Sequence, residues 1–194
     1  YSSSSGLLCS SSYKKDSTSK IEIKNILSDD DNNIIQSLVL ENGKKIRNTL
    51  YEYDAWGRVT KQKTETSEGV FGIQSFVYAD SMNFPLPTAV TAENVRRADG
   101  KTENVVLQKL QYDVYGNTVL STDGCGNSTQ YVYDLLDRPV KVILPDGAEQ
   151  RYDYDDALGK IVYHDPESGK YIYNFSESGL PTGISDGVTG ELLE

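Results

Sequence analysis

The sequence has little of what catalytic chemistry usually draws on. Its 1 histidine, His164, stands beside a turn signal at Asp165-Pro166 and offers less than a hydrolytic triad or a histidine-rich metal site needs. The 2 cysteines, Cys9 and Cys125, fit no metal-ligand spacing and lie too far apart for a local disulfide framework. The bulky Leu8 argues against reading Cys9 as a lipoprotein processing site. No apolar run approaches the roughly 18 residues of a membrane helix, and no complete signal peptide is visible at the start, so no membrane insertion is expected. No glycine-rich phosphate loop follows a strand and opens a helix, so no cofactor is expected either. Basic residues number 19 against 29 acidic ones, a net charge of -10 that disfavours nucleic acid. A long amphipathic helix is also missing. The best helical candidate, Thr91 to Arg97, is short and is assigned to an irregular connection.

What is present points to sheet. Tyrosine, at 14 residues against 4 Phe and 1 Trp, carries the aromatic content, and its ring with a polar tip suits half-buried pleated surfaces. Short β-branched runs, such as Ile21 to Lys24, Ile34 to Leu40 and Val140 to Leu144, read as strands. Asn42-Gly43, Asp99-Gly100, Asp123-Gly124 and Asp146-Gly147 lie between such runs and supply the positive φ of tight hairpins. Residues 1–20 are serine-rich and read as a tail or edge segment, with an edge strand through Gly6 to Ser12. Residues 21–194 read as one β-hairpin repeat domain.

The stronger signal is self-similarity. Tyr51-Glu52-Tyr53-Asp54-Ala55-Trp56-Gly57-Arg58 is followed by Gln111-Tyr112-Asp113-Val114-Tyr115-Gly116-Asn117. Next come Tyr131-Val132-Tyr133-Asp134-Leu135-Leu136-Asp137-Arg138 and Tyr152-Asp153-Tyr154-Asp155-Asp156-Ala157-Leu158-Gly159-Lys160. Phe76 to Asp80 and Tyr171 to Asn174 read as weaker copies, which sets the central tyrosines Tyr112, Tyr133, Tyr154 and Tyr173 about 20 residues apart, one hairpin per repeat. Tyr-x-Tyr places both rings on one strand face. The aspartate that follows can cap turn amides, and the glycine three residues on can take the left-handed conformation. Asp137 stands where the other copies have glycine, a place aspartate tolerates. The copy at Asp155 carries one extra residue, so its turn should differ.

Tyr-x-Tyr-Asp-x-x-Gly-Arg resembles the signature of the YD-repeat, or Rhs-repeat, family, which includes bacterial Rhs and wall-associated proteins, toxin-complex C subunits and teneurins. The resemblance covers about Tyr51 to Tyr173. It implies an all-β ribbon of antiparallel hairpins, curved or twisted, forming part of the wall of a larger shell. It also implies a protein secreted by a bacterium or held on its surface, with further repeats of the parent chain or self-association as partners. The family's Asp-Pro-x-x-Gly-Arg-Tyr element is echoed at Asp165 to Tyr171. The Asp-Pro-x-Gly-Leu segment linked to self-cleavage is degenerate at Ser176 to Pro181, which has lost the Asp-Pro pair.

Two acidic groups invite other chemistry. Asp29, Asp31 and Asn33 alternate like the start of a calcium loop, but Ile34 and Leu40 stand where glycine and glutamate are required. Asp155 and Asp156 could serve as an acid–base pair, yet the repeat assigns that position to turn capping. No catalytic or metal residue is therefore expected. Two functions remain, a structural wall module and a glycan-binding module that stacks sugars on exposed aromatics, with Trp56 and Tyr115 as the candidate sugar-stacking residues.

Overall fold

The computed structural model describes residues 8–15, 19–27, 33–79, 85–167 and 169–193. Asp29 to Asp31 of the acidic cluster, and the N-terminal part of the serine-rich stretch, lie outside them. The described residues form fifteen strands and no helix, and the strands pair antiparallel. By its internal contacts the chain divides into two compact units, Tyr1–Gln108 and Lys109–Glu194.

In the first unit strands follow chain order: β1 (Leu8–Lys14), β2 (Lys20–Leu27), β3 (Ile34–Glu41), β4 (Lys44–Tyr53), β5 (Val59–Ser67), β6 (Val70–Tyr78) and β7 (Pro87–Arg96). The serine-rich start does supply a strand, because Leu8 to Lys14 pairs with Ile26 to Lys20 of β2. Asn42 and Gly43 close β3 onto β4 with φ of 51° and 81°, the positive pair of a two-residue hairpin turn. Thr91 to Arg97 is not an irregular connection. Val90, Thr91, Ala92 and Glu93 lie opposite Phe76, Ser75, Gln74 and Ile73, and the neighbouring strand decides the conformation of a segment whose own helical preference is weak. Strand β8 (Thr102–Tyr112) runs across the division between the units.

The second unit contains β9 (Thr118–Asp123), β10 (Ser128–Tyr133), β11 (Pro139–Ile143), β12 (Glu149–Asp155), β13 (Lys160–His164), β14 (Lys170–Phe175) and β15 (Pro181–Asp186), again in chain order. Its turns open at Asp113, Asp123, Asp134, Leu144, Asp155, Asp165, Ser176 and Asp186, so a turn comes every ten or eleven residues. Antiparallel strands in chain order send successive turns to opposite ends of the sheet. The turns at Asp113, Asp134, Asp155 and Ser176 therefore share one end, and those at Asp123, Leu144, Asp165 and Asp186 share the other.

Little of this is buried in the usual sense. Among described residues only Ile21, Val142 and Thr49 are buried, and no large side chain is fully enclosed. Side chains alternate along the strands instead: in β12, Tyr152 and Tyr154 are half-buried while Arg151, Asp153 and Asp155 are exposed. Stability in such a ladder comes from each strand on its neighbour rather than from a central core.

Candidate functional site

The residues singled out by the repeat converge on the turns. At Asp54, Asp113, Asp123 and Asp134 the chain makes one recurring loop of five residues. Its first amide donates to the fifth carbonyl, and its fourth amide donates back to the first carbonyl, at 2.9–3.3 Å. That is a tight turn followed by a left-handed residue. Gly57 takes that place with φ 75°, Gly116 with φ 94° and Asp137 with φ 59°. At the Asp123 turn the left-handed residue is Gly126, not Gly124, so Asp123-Gly124 is not itself a hairpin pair; the segment Asp123 to Asn127 is another Asp-x-x-Gly loop. The same backbone pattern recurs at Arg97–Lys101, Leu144–Ala148 and Ser176–Leu180 without an aspartate in first place.

The aspartate works with both oxygens. Asp134 Oδ1 accepts from the amides of Leu136 (2.8 Å) and Arg138 (3.0 Å), and Oδ2 accepts from Arg138 Nε at 2.8 Å. Asp54 does the same with Trp56 and Arg58, and Asp113 and Asp123 do so with an asparagine in the arginine's place. Partial desolvation pushes the carboxyls of Asp54, Asp113 and Asp134 up. The donated hydrogen bonds outweigh it and hold all three below the ordinary value of 3.8. The Asn127 side chain is the main cause at Asp123, which is lowered as well.

From the turn, contacts reach the next repeat. The Arg138 guanidinium stacks 4.1 Å from the Tyr154 ring and bonds Asp156 Oδ1 at 2.6 Å; Arg58 lies 4.5 Å from Tyr78 and 4.6 Å from Trp56. Asn117 Nδ2 donates to Asp137 Oδ1 at 2.7 Å, tying the Asp113 turn to the Asp134 turn at the same end. The second tyrosine of each pair also reaches across. Tyr53 donates its hydroxyl to the Ile34 carbonyl, Tyr78 to Val59, Tyr133 to Thr118 and Tyr154 to Pro139, all at 2.7–2.9 Å. Burial raises the pKa of all four phenols, which keeps them protonated as donors. The first tyrosine serves the sheet face: Tyr152 lies 5.2 Å from Tyr163, which lies 6.2 Å from Tyr171. Tyr51 and Tyr131 are likewise half-buried on their strands, and so is Tyr112, which stands in second place before Asp113.

The fourth copy does differ at its turn. Asp155 pairs directly with Lys160, Asp155 Oδ1 accepts from the Leu158 amide, and Gly159 (φ 59°) offers its carbonyl to the Phe175 amide at 2.7 Å. Asp155 and Asp156 thus hold different partners, the Leu158 amide and the Arg138 guanidinium. The copy read at Tyr171 to Asn174 is out of register. The aromatic that immediately precedes the Ser176 turn is Phe175, which restores the 21-residue step from Tyr154. Asp165 opens a turn closed by Gly169, with Asp165 Oδ1 on the Glu167 amide, and His164 Nε2 contacts Asp153 Oδ2 at 2.7 Å on the strand face. Trp56 and Tyr115 are both 73% exposed, and Trp56 already carries Arg58 over its ring. Among the described residues no group of three or more His, Cys, Asp and Glu could hold a metal ion.

An antiparallel ribbon latched turn to turn is a β-repeat scaffold. Residues 112–149, which hold two of these latched turns, match the RHS Repeat family. No curated protein matches the chain. Among solved structures it is similar to a Tc holotoxin pore of Photorhabdus luminescens carrying a TccC3 mutation, at 15% identity and a TM-score of 0.46 over 90% of this chain and 11% of that one. It is also similar to TcdB2-TccC3-Cdc42, at 11% identity and a TM-score of 0.33 over 97% of this chain and 14% of that one. The chain thus spans a small fraction of either structure's length.

Proposed function

We propose that the chain is a non-catalytic wall module, a stretch of Rhs-type β-ribbon within a larger shell protein that is secreted or displayed on a bacterial surface. One observation carries this reading: the aspartate, arginine and tyrosine of the repeat signature bond to turn amides, to each other and to the next hairpin. Groups so occupied are poor candidates for a reacting or sugar-binding centre. The match of residues 112–149 to the RHS Repeat family supports the same reading, and further repeats of the parent chain are the partners it calls for.

A glycan-binding role has one specific observation in its favour, the exposure of Trp56 and Tyr115 on turn tips. The test separates the two. Replacing Tyr133 with alanine should lower the melting temperature, at a cost of about 2 kcal/mol for a half-buried aromatic. Replacing Trp56 and Tyr115 with serine should leave a glycan array as unoccupied as before. Array binding that those two substitutions abolish, with Tyr133→Ala stable, would overturn the wall reading.

A further inference from the structure

The two ends of the second unit differ in a way that holding hairpins together does not require. At the end bearing the Asp113, Asp134, Asp155 and Ser176 turns, the tips carry Leu135 (100% exposed), Val114 (80%), Tyr115, Leu136, Leu158 and Leu180. At the opposite end the corresponding tips are Gly124-Cys125, Pro145-Asp146, Pro166-Glu167 and Gly187-Val188, with only Val188 both large and apolar. Exposed apolar residues gathered along one edge mark an interaction site more often than scattered ones do.

Two hollows lie between the apolar tips. One, of about 460 Å³, lies between the first two turns and is lined by Tyr115, Tyr131, Tyr133 and Leu135. Another, of about 580 Å³, lies between the last two and is lined by Tyr154, Leu158, Ile161 and Phe175. Turns at one end are two strands apart, so the ridges repeat at about 10 Å. An α-helix advances about 10.5 Å in seven residues, which is the spacing of a heptad's apolar positions. Charge sets the sign of the partner. The four turns at this end contain Asp113, Asp134, Asp137, Asp155, Asp156 and Glu177 against Arg138 and Lys160. A second copy of the same acidic edge would be repelled, and so would an anionic lipid surface.

We propose that this edge of the second unit is a docking rim for a cationic amphipathic helix, with its apolar residues seated in the hollows between turns and its lysines or arginines beside the aspartates. The proposal stands on the geometry of this unit and does not depend on the wall reading, since a ribbon whose rim binds nothing would still be a wall.

The probe is a labelled peptide of three heptads with leucine at the first and fourth positions and lysine and glutamine elsewhere, titrated into the full chain and followed by fluorescence anisotropy. Saturable binding is expected. It should weaken at least tenfold in a Leu135→Ser, Leu136→Ser double variant whose melting temperature is unchanged, and remain the same in Val188→Ser at the far end, whose turns are more acidic still but lack the apolar row. A peptide with glutamate in place of lysine should bind at least tenfold more weakly. No binding, or binding that the double variant retains, would overturn the rim, the second case being simple charge attraction. Light scattering that finds a dimer lost in the double variant would assign the edge to a second copy and overturn the helix. Binding of phosphatidylcholine vesicles lost in that variant would overturn it in favour of a lipid surface.

Discussion

The Arg138 guanidinium lies 4.1 Å from the centre of the Tyr154 ring, so the arginine that closes one turn rests on the tyrosine of the following repeat. Its Nε stays on Asp134 of its own turn. One side chain therefore couples the shape of a loop to the position of the next hairpin. Arg138→Ala should lower the melting temperature by several degrees. Arg138→Lys should recover only part of the loss, because an ammonium cannot stack flat on the ring while holding Asp134. Equal melting temperatures for the alanine variant and the wild type would remove the latch from the account.

The left-handed turn positions grade in cost. Gly100 has φ of 82° with open space around it, so Gly100→Ala should cost only the backbone term, about 1 kcal/mol. At Gly159 an added Cβ would also come within 2.7 Å of the Phe175 carbonyl oxygen, so Gly159→Ala should cost about 3 kcal/mol. Asp137→Gly should change stability by less than about 0.5 kcal/mol, because relief of φ 59° is offset by loss of the hydrogen bond from Asn117. Chemical denaturation of the three variants orders them, and a Gly159→Ala no worse than Gly100→Ala would contradict the contact with Phe175.

The turn carboxylates make stability depend on acid. Asp54, Asp113, Asp123 and Asp134 are all held below 3.8, and Glu65 is brought from 4.5 to about 2, first by Lys45 and then by the Gly69 amide and Asn48. A carboxyl lowered in the folded state stabilises above its unfolded pKa and loses that contribution as pH falls through the folded value. Melting temperature should therefore be level above about pH 5 and fall steadily from about pH 4 toward pH 2. Asp113→Asn and Glu65→Gln should each flatten that fall. A melting temperature that rises on acidification would reverse the sign and contradict the capping geometry.

The loops were legible in the sequence where side chain and glycine both announced them. Asp54, Asp113 and Asp134 follow a tyrosine and precede an arginine or asparagine, so chemistry and spacing agreed. The turn at Asp123 was half hidden, because Gly124 imitates a two-residue hairpin while Gly126 takes the left-handed conformation. Leu144 and Ser176 open the same backbone loop with no carboxylate in first place; Asp146 Oδ1 accepts from the Ala148 amide and Ser176 Oγ from the Leu180 amide instead. The carbonyl acceptors of the tyrosine hydroxyls could not be read at all, since every residue carries the same carbonyl and only register selects one. The Tyr171-Ile172-Tyr173 run misled for a related reason: it satisfies the pattern two residues early, and the hydrogen bonds choose Phe175.

That choice gives a prediction specific to this chain. Tyr133 donates to the carbonyl of Thr118 and Tyr154 to that of Pro139, each fifteen residues back. Phe175 occupies the same place in its strand, ending β14 beside the start of β13, so the matching acceptor is the carbonyl of Lys160. Phenylalanine fills the packing site without using that acceptor. Phe175→Tyr should therefore stabilise the second unit by up to about 1 kcal/mol, and Tyr133→Phe should cost about the same amount where the bond exists. The longer turn at Asp155 makes the comparison informative, because Gly159 already accepts the Phe175 amide and could shift the ring relative to Lys160. Denaturation midpoints of the two variants, with wild type as reference, decide it. A Tyr133→Phe variant as stable as wild type would show that the tyrosines act through their rings alone. Loss in Tyr133→Phe without gain in Phe175→Tyr would confine the hydroxyl latch to the five-residue turns.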